Sequence, residues 1–210
     1  MEPDDLAARV DEIVRVLERG GVVVLPTDTV YGLAALPSSP GAVERVFALK
    51  GRRADVPIAV LCASAAQALA LADPVPGVEQ VAARFWPGPL TLVLPRRPGV
   101  DLPLGEPVHT IGLRVPDHEL VRAIAERVGP IATTSANRHG AATPPTAAEA
   151  GASLAGEPDL VVDGGRLEAT ASTVVDATQA PWAVLREGTI GGADVLRIAG
   201  TARQDGARGQ

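Results

Sequence analysis

The sequence predicts a single α/β domain whose core is a mixed β-sheet with helices packed against it. Short β-branched runs alternate with amphipathic helical stretches along most of the 210 residues, and this alternation is typical of layered α/β domains. The last three strand-like runs have no helical stretch between them, which indicates a mixed rather than a wholly parallel sheet. No internal repeat or low-complexity segment indicates a second domain. We therefore expect one domain over residues 1–200.

The first fifty residues are predicted to contain a helix, a strand and most of a second helix. Apolar residues recur with helical spacing over residues 6–17, and a pair of glycines then ends the helix. Residues 22–25 form a β-branched run that a proline ends, which is typical of a strand buried on both faces. Ser39 is expected to cap the next helix, with Pro40 in its first turn.

The rest of the chain continues the alternation of strands and helices. Strands are predicted over residues 58–61, 90–94, 111–115, 130–134, 160–163, 172–176 and 182–186, and helices over 64–71 and 78–85. Asp117 is expected to cap a further helix. Thr146 and Glu149 form a capping box before a short alanine-rich helix. The polar tail over residues 201–210 is expected to be flexible.

Composition and charge exclude several classes of protein. No apolar run approaches the length of a transmembrane helix, and the acidic start lacks the features of a secretory signal, so we expect a cytoplasmic protein without membrane contact. The single cysteine, Cys62, lies in an apolar run and is expected to be a small buried residue rather than a nucleophile. The net charge of −6 and the aromatic content of 2% disfavour broad binding of nucleic acid, although a local basic pocket is compatible with both.

The usual sequence signatures of nucleotide, hydrolase and metal sites are missing. The chain has no glycine-rich phosphate loop, no serine nucleophile elbow and no paired-histidine zinc motif. His109, His118 and His139 are not grouped at metal-ligand spacing. A metal ion held by the protein itself is therefore not expected.

Three polar segments stand beside predicted elements, where α/β folds commonly bind ligands. Residues 26–33 contain two threonines and a tyrosine that a simple turn does not require, so a turn and a functional loop are equally good interpretations. Residues 50–53 carry three cations just beyond a helix, where the helix dipole alone would explain them. Residues 133–137 offer hydroxyls and an amide that suit either a polar ligand or an ordinary turn.

Together with further segments, these three resemble the YrdC domain of the threonylcarbamoyl-adenylate synthases, a domain that also occurs in hydrogenase-maturation carbamoyltransferases. The similarity runs in order from about Gly20 to Ile190. Its segments are residues 26–33, Lys50 with Arg52, 85–91, 112–116, 135–137, 172–176, and 185–186 followed by Gly188. Each segment alone is weak, but seven ordered matches identify the chain as a member of this family. The resemblance implies a twisted mixed sheet around a central ligand cavity, in the short bacterial form.

The family's activity implies the substrates and the site residues. The resemblance implies an enzyme, a nucleotidyltransferase that forms threonylcarbamoyl-AMP and pyrophosphate from L-threonine, bicarbonate or carbon dioxide, and ATP, with Mg²⁺. The product serves threonylcarbamoyladenosine modification of tRNA and would pass to a tRNA-modifying transferase complex; direct binding of tRNA is left open. The implied catalytic residues are Lys50 and Arg52. The implied ATP contacts are Lys50, Arg52, Thr110, Ser135, Asn137, Thr143 and Arg186. The implied threonine contacts are Thr29, Arg114, Thr133 and Ser172.

A set of cations without a nucleophile suits this reaction. A carbamate oxygen that attacks the α-phosphate needs alignment of two anions and dispersal of the charge on the departing pyrophosphate. Arginine suits this task because its planar fork holds two phosphate oxygens at once. The cations at positions 50, 52 and 186 are therefore a chemically sensible set.

Departures from the family pattern and two alternatives remain open. Arg53, Val56, Leu61 and Ala169 differ from the usual family residues, which affects the expected shape of the threonine pocket. One alternative is a paralogue of the YciO type that binds nucleotide or RNA without this synthase activity, but Lys50 with Arg52 favours the synthase. The other is a carbamoyl-adenylate-forming enzyme, whose companion acylphosphatase and zinc-finger segments are absent from this sequence.

Overall fold

The computed structural model describes residues 3–39, 41–168 and 170–208, which form seven helices and nine strands. The helices are α1 (Pro3–Glu18), α2 (Ala42–Lys50), α3 (Ala65–Leu69), α4 (Val78–Phe85), α5 (Glu119–Val128), α6 (Ala147–Ala152) and α7 (Gly192–Arg208). The strands are β1 (Val23–Leu25), β2 (Gly32–Ala35), β3 (Ala59–Leu61), β4 (Leu90–Pro95), β5 (Thr110–Arg114), β6 (Ile131–Ser135), β7 (Leu160–Val161), β8 (Thr173–Asp176) and β9 (Ala183–Arg186).

The strands form one mixed sheet in the order β7-β1-β2-β6-β3-β5-β4-β8-β9. The pairs β1–β7, β3–β5 and β4–β8 are parallel. The remaining neighbours, including the late hairpin of β8 and β9, are antiparallel. The predicted α/β class and the mixed sheet are confirmed.

The two faces of the sheet have different coverings. In β1, Val24 packs into a core that also contains α2, whereas Val23 and Leu25 pack on the opposite face with α1 and α5. Successive side chains of a strand point to opposite faces, so one buried strand serves both layers. In β6, Ile131 also packs against α1 and α5, while Thr133 on the same face lines a cavity. The same face of the sheet is therefore covered by helices near β1 and lines an open cavity near the middle of the sheet.

Strand β2 is the main element that the sequence analysis does not predict. It spans Gly32–Ala35 and pairs antiparallel with β1, so that Val24 lies opposite Leu33. Its sequence, Gly-Leu-Ala-Ala, contains no β-branched or aromatic residue and therefore carries little strand signal. The predicted loop over residues 26–33 is correspondingly shorter than expected.

Two predicted helix caps are wrong and one is confirmed. Gly41, in the left-handed region with φ 71°, precedes α2 in place of Ser39, and Pro40 lies outside the described residues. His118 precedes α5 without a side-chain cap, and Asp117 instead pairs with Arg122 at 3.1 Å. The Thr146 hydroxyl accepts a hydrogen bond from the backbone N–H of the third residue of α6, as the capping box predicts.

Helix α7 is also not predicted from the sequence. Its first half packs Val195 and Ala199 into the main core beside β8. The backbone is helical through Arg208, while the predicted flexibility of residues 201–210 stays a prediction. Within the part of the chain that the structure describes, no helix is both long and apolar enough to cross a membrane.

Candidate active site

A cavity of about 370 Å³ lies on the sheet face that α1 and α5 leave open. Its floor includes small residues on the central strands, namely Ala59 on β3, Thr91 on β4, Gly112 on β5 and Thr133 on β6. Ala59 and Thr133 are direct partners in the sheet. Because these side chains are short, the sheet leaves room above its centre for a ligand. The predicted central cavity is confirmed.

The charged side chains on the described cavity wall are all arginines: Arg52, Arg96, Arg114 and Arg186. Four cations in one cavity of a chain with net charge −6 indicate an anionic ligand. Burial, and then the charge of Arg186, lower the pKa of Arg52. Burial, and then the charge of Arg114, lower the pKa of Arg186. An anion bound among these guanidinium groups would relieve their mutual repulsion.

Arg114 defines the buried end of the cavity. Its residue surface is 6% exposed, and its guanidinium donates to Asp28 Oδ1 at 2.5 Å, Thr29 Oγ1 at 2.9 Å and the Gly88 carbonyl at 3.1 Å. Burial lowers the pKa of Arg114, and the charge of Asp28 opposes that shift. A guanidinium carries five N–H groups, so two remain for a ligand. Thr29 and Arg114, predicted as threonine contacts, thus lie together.

Thr27 fixes the loop that carries Asp28 and Thr29. Its hydroxyl accepts from the backbone N–H groups of Thr29 at 3.1 Å and Val30 at 3.2 Å. It also donates to the Val30 carbonyl at 2.7 Å, so one buried side chain closes the turn from within. The two interpretations of this segment are therefore compatible, because the same turn brings Thr29 to the cavity wall.

Arg186 lies at the exposed mouth of the cavity. Its Nε donates to the Ser172 carbonyl and its Nη2 to Ser172 Oγ, both at 3.0 Å. Ser172 Oγ lies 3.0 Å from Thr91 Oγ1, so a chain of three side chains runs from the cavity floor to the mouth. Gly188 lies two residues after Arg186, and a side chain at Gly188 would collide with the backbone of residues 171–173. The segment after β9 is therefore held tightly against Ser172.

Arg52 also lines the cavity, and the charge of Arg186 acts on its guanidinium. It follows α2 after Gly51, whose φ of 65° ends the helix in a left-handed conformation. Its Nε donates to the Val56 carbonyl and its Nη2 to the Pro57 carbonyl, both at 2.7 Å. Arg52 therefore orders the loop that enters β3 and lines the cavity with its remaining N–H groups.

The structure does not place Lys50, Asn137 or Thr143 on the cavity wall. Lys50 is 3% exposed, and its ammonium donates to Ser135 O at 2.6 Å, Ser135 Oγ at 3.1 Å and Asn137 Oδ1 at 2.9 Å. Burial, and then the charge of Arg52, lower the pKa of Lys50 to about 8. Lys50 therefore lies behind the wall and holds the end of β6.

Asn137 completes this support of β6. Its side-chain N–H groups donate to the carbonyls of Arg138 at 2.9 Å and Ala141 at 2.6 Å, while its oxygen accepts from Lys50. All polar atoms of this buried side chain are thus engaged within the protein. Thr143 lies in the loop that follows, between β6 and α6.

The remaining predicted contacts line the cavity, together with residues that the sequence analysis did not single out. The predicted ones are Thr110, Thr133, Ser135 and Ser172. Val56 and Leu61 also line it, so these departures from the family pattern bear on its shape, whereas Ala169 lies outside the described residues. Thr27, Asp28 and Thr91 fall in segments that carry the resemblance. Their roles in holding the loop, Arg114 and Ser172, respectively, are visible only in the contacts of the folded protein. Arg96 carries no sequence signal.

The donor set does not suit a metal held by the protein. Among residues 3–39, 41–168 and 170–208, no group of three or more His, Cys, Asp and Glu side chains could hold a metal ion. Divalent cations such as Mg²⁺ prefer carboxylate, carbonyl and phosphate oxygens, whereas this wall offers cations and hydroxyls. A Mg²⁺ ion in this cavity would need the oxygens of an anionic ligand.

Fold and cavity together define an α/β protein with a partly enclosed cavity lined by arginines, a lining that suits an anionic small molecule. A family model named Sua5_yciO_yrdC, with the description telomere recombination, matches residues 15–188. The chain therefore belongs to the Sua5/YciO/YrdC family, as the ordered segments predict.

Named relatives extend the comparison. The chain is 37% identical over 190 residues to a threonylcarbamoyl-AMP synthase of Pyrococcus abyssi, covering 89% of this chain and 56% of the relative. It is 34% identical over 201 residues to a Mycobacterium tuberculosis protein provisionally named threonylcarbamoyl-AMP synthase, covering 95% and 93%. The chain thus spans about half of the first relative and nearly all of the second.

Solved structures agree with the family assignment. P. abyssi Sua5 complexed with L-threonine superposes with a TM-score of 0.83 at 36% identity, covering 90% of this chain and 56% of that one. Escherichia coli YciO superposes with a TM-score of 0.77 at 29% identity, covering 86% and 89%. Both branches that the sequence analysis weighed therefore share this fold.

Proposed function

We propose that this chain is a threonylcarbamoyl-AMP synthase, which converts L-threonine, bicarbonate or carbon dioxide, and ATP into threonylcarbamoyl-AMP and pyrophosphate. One observation carries the proposal: a single cavity combines a buried arginine, Arg114, that is paired with Asp28, and two arginines, Arg52 and Arg186, that form no ion pair with any carboxylate among the described residues. The first arrangement suits an amino-acid carboxylate, and the second suits phosphates. The shared name of the relatives supports this activity over that of a YciO-type paralogue.

The amino acid is proposed to bind at the buried end. Arg114 is held by Asp28, so its guanidinium cannot rotate away, and its two remaining N–H groups can bind a carboxylate. Thr29, Thr133 and Ser172 add hydroxyls to the lining of the same cavity. The structure of the Sua5 relative with L-threonine supports an amino-acid site in this fold.

The nucleotide is proposed to bind towards the mouth, with its phosphates between Arg52 and Arg186. Thr110 and Ser135 offer further hydroxyls along the same wall. Lys50 acts from behind this wall by holding Ser135 in place and by adding a buried positive charge near the phosphates. In this proposal Asn137 supports the same strand end rather than the nucleotide itself.

The proposed chemistry needs no protein nucleophile. The threonine nitrogen adds to carbon dioxide and loses a proton, which gives a carbamate. A carbamate oxygen then attacks the α-phosphorus, and the bond to the β-phosphate oxygen breaks with its electron pair leaving on pyrophosphate. Two anions must be aligned for this step, and the arginines disperse their charge. Mg²⁺ is proposed to arrive with ATP, coordinated by phosphate oxygens.

Partners and location follow from the proposed product. Threonylcarbamoyl-AMP is an activated acyl donor, so we propose that it passes to a tRNA-modifying transferase complex in the cytoplasm. Adenylate formation itself should not need tRNA, because the chain is acidic overall.

The test is incubation of the pure protein with ATP, Mg²⁺ and bicarbonate, with release of pyrophosphate as the readout. Release should depend on threonine and proceed without tRNA. Serine should react about 10- to 200-fold less well, because a methyl group in a fitted pocket contributes roughly 1–3 kcal/mol. Equal turnover of serine would mean that Val56 and Leu61 leave the pocket open. Binding of nucleotide or RNA without any release would instead favour the paralogue.

A further inference from the structure

Strand β5 contributes Thr110, Ile111, Gly112 and Arg114 to the cavity lining, and three of these, Thr110, Gly112 and Arg114, alternate along the strand. Alternate residues of a strand lie on one face, about 6.6–6.8 Å apart. The two outer residues belong to the proposed nucleotide and amino-acid ends, respectively. Gly112 therefore lies on the cavity floor between the two proposed subsites, with Val93 beside it on β4.

The protein fold does not require glycine at this position. Gly112 is not in the left-handed region, where glycine would be favoured. A Cβ built on it would lie 3.6 Å from Ala59 Cβ and 3.7 Å from Thr91 Cγ2, which is ordinary van der Waals contact. Glycine inside a strand weakens the strand, and it often marks a place where a ligand approaches the backbone closely. Neither the backbone conformation nor crowding by neighbouring atoms explains a glycine here. Close approach of a ligand in the cavity is the explanation that remains.

We propose that Gly112 is a positioning residue. Because it has no side chain, it leaves space for the carbamate of the amino acid to contact the α-phosphate of the nucleotide. The inference rests on the proposed function and locates the reacting carboxyl group within the cavity. The carbamate carbon lies above Gly112, with the amino-acid part towards Arg114 and the α-phosphate towards Thr110. A side chain at position 112 would separate the carbamate oxygen from the α-phosphorus while leaving both outer subsites in place.

Other glycines of the site differ in the reason for their presence. A Cβ at Gly32 would lie 2.9 Å from Thr133 Cγ2, and one at Gly188 would collide with the backbone of residues 171–173. Packing alone therefore explains those two. Gly112 combines a position on the cavity wall with space for a methyl group, so a substitution there can be tested without disturbing the fold.

The experiment compares Gly112→Ala and Gly112→Val with a matched control, Gly200→Ala, in the full chain. Gly200 lies exposed in α7, and a methyl group added there would meet no atom within 4 Å, so its substitution should leave activity unchanged. Binding of ATP alone and of threonine alone is measured by calorimetry, and pyrophosphate release is measured under saturating substrates. Thermal unfolding reports whether each variant is folded.

The proposal expects both Gly112 variants to bind each ligand separately with near wild-type affinity. Their kcat for pyrophosphate release should fall by about 100-fold or more, because a misplacement of about 1 Å between reacting groups can cost that much. Thermal unfolding of Gly112→Ala should stay at or slightly above the wild-type temperature. If Gly112→Val does not fold, the alanine variant alone carries the test.

Three results would overturn the proposal, and they are distinguishable. A wild-type kcat in Gly112→Ala would mean that the reacting groups lie elsewhere. Loss of binding of one ligand alone, with the other unaffected, would place that ligand itself above Gly112. Absence of pyrophosphate release from the wild-type protein would reject the proposed function, and this inference with it.

Discussion

The two ends of the cavity hold arginines in opposite ways. At the buried end, Arg114 has a side chain 7% exposed and forms an ion pair with Asp28 at 2.5 Å. At the mouth, Arg186 is exposed, and its guanidinium donates two hydrogen bonds of 3.0 Å to Ser172. No carboxylate among the described residues forms an ion pair with Arg186. The charge of Arg114 is therefore matched by a carboxylate within the protein, whereas the charge of Arg186 is not matched by any described residue.

This difference indicates how the work is divided within the proposed enzyme. A buried, paired guanidinium stays charged and keeps one orientation, which suits recognition of a small carboxylate of fixed shape. Guanidinium groups that repel one another gain most from a ligand with several negative charges. Substitutions at the buried end should therefore affect folding stability as well as binding, whereas substitutions at the mouth should affect catalysis with little effect on the fold.

The largest expected effect is on stability, from Arg114→Met. This change leaves Asp28 buried without a countercharge, and breaking a buried pair in this way typically costs about 3–5 kcal/mol. Urea unfolding should show that loss, while Arg186→Met should unfold within about 0.5 kcal/mol of the wild type, as surface substitutions usually do. The double variant Asp28→Asn with Arg114→Met should recover part of the stability. If the two single variants had the same free energy of unfolding, the proposed difference between the paired arginine and the exposed one would be wrong.

The next effect concerns Arg52, with Arg53 as a matched control. Arg52→Ala should lower kcat by about 10²–10³, because it removes a preorganised donor for transition-state charge. Arg52→Lys should also stay well below the wild type, since lysine keeps the charge but loses the planar fork. Arg53 has a side chain 85% exposed and pairs with Asp55, so Arg53→Ala should leave turnover unchanged.

The outcome separates two roles of Arg52. If it only ordered the loop through the carbonyls of Val56 and Pro57, the variants would lose stability without losing rate. Near-normal synthase activity of Arg52→Ala would show that the phosphate assignment is wrong.

The fold was more predictable from the sequence than the site. Strands β4, β5 and β6 carry β-branched or leucine-rich runs between turn signals, and these local patterns predict them within one or two residues. Strand β2 lacks such a signal, because Gly-Leu-Ala-Ala has no distinctive apolar pattern. Helix α7 does carry apolar residues at helical spacing, Val195, Ile198 and Ala199, but this signal is short and the polar end of the chain hides it. Tertiary pairing, rather than local propensity, determines that β2 is a strand.

The site required contacts that no local pattern contains. Asp28 and Arg114 are separated by 86 residues, and only the order of strands in the sheet brings them together. Residue type and family resemblance pointed to Lys50 as a ligand contact, but the structure surrounds its ammonium with acceptors from Ser135 and Asn137. Sequence analysis thus identifies the chemical groups, and the fold decides which of them line the cavity.

The third prediction concerns pH and Lys50, whose pKa is lowered to about 8. An anionic ligand nearby favours the charged form, so ATP binding should be coupled to protonation of Lys50. Below pH 8 this group is already charged and adds no pH dependence. Above pH 8 the affinity for ATP should fall, by at most about tenfold per pH unit for one linked proton. The thiol of Cys62, with a pKa raised to about 12, does not titrate in this range.

Calorimetric titrations of ATP between pH 7 and 9.5 check this expectation. In Lys50→Met the decline above pH 8 should disappear, while thermal unfolding shows whether the end of β6 remains in place. A wild-type affinity that is flat across this range would mean that the charge of Lys50 is not felt by the nucleotide and that the residue supports β6 alone.

The smallest effect is expected from Thr91, which connects the floor of the cavity to its mouth. Thr91→Val keeps the shape of the side chain but removes the hydroxyl 3.0 Å from Ser172 Oγ, so Arg186 loses part of the support that fixes its guanidinium. One hydrogen bond contributes a net 0.5–1.5 kcal/mol, so kcat/KM for ATP should fall by roughly 2- to 13-fold. Thr91→Ser restores a hydroxyl and should restore most of the rate. Thr178→Val is a matched control, because it removes a 2.7 Å hydrogen bond to Asp176 away from the cavity wall.

A second measurement decides whether Thr91 acts through Arg186 or only through packing. In an Arg186→Met background the guanidinium is absent, so adding Thr91→Val should cause little further loss of kcat/KM if the two residues act along one chain. Independent contributions would instead multiply, and the double variant would be slower than Arg186→Met by the full factor of the single Thr91→Val change. That second pattern would mean that Thr91 on the floor of the cavity does not help to position Arg186 at its mouth. The two ends of the cavity would then be coupled only through the ligand that contacts both.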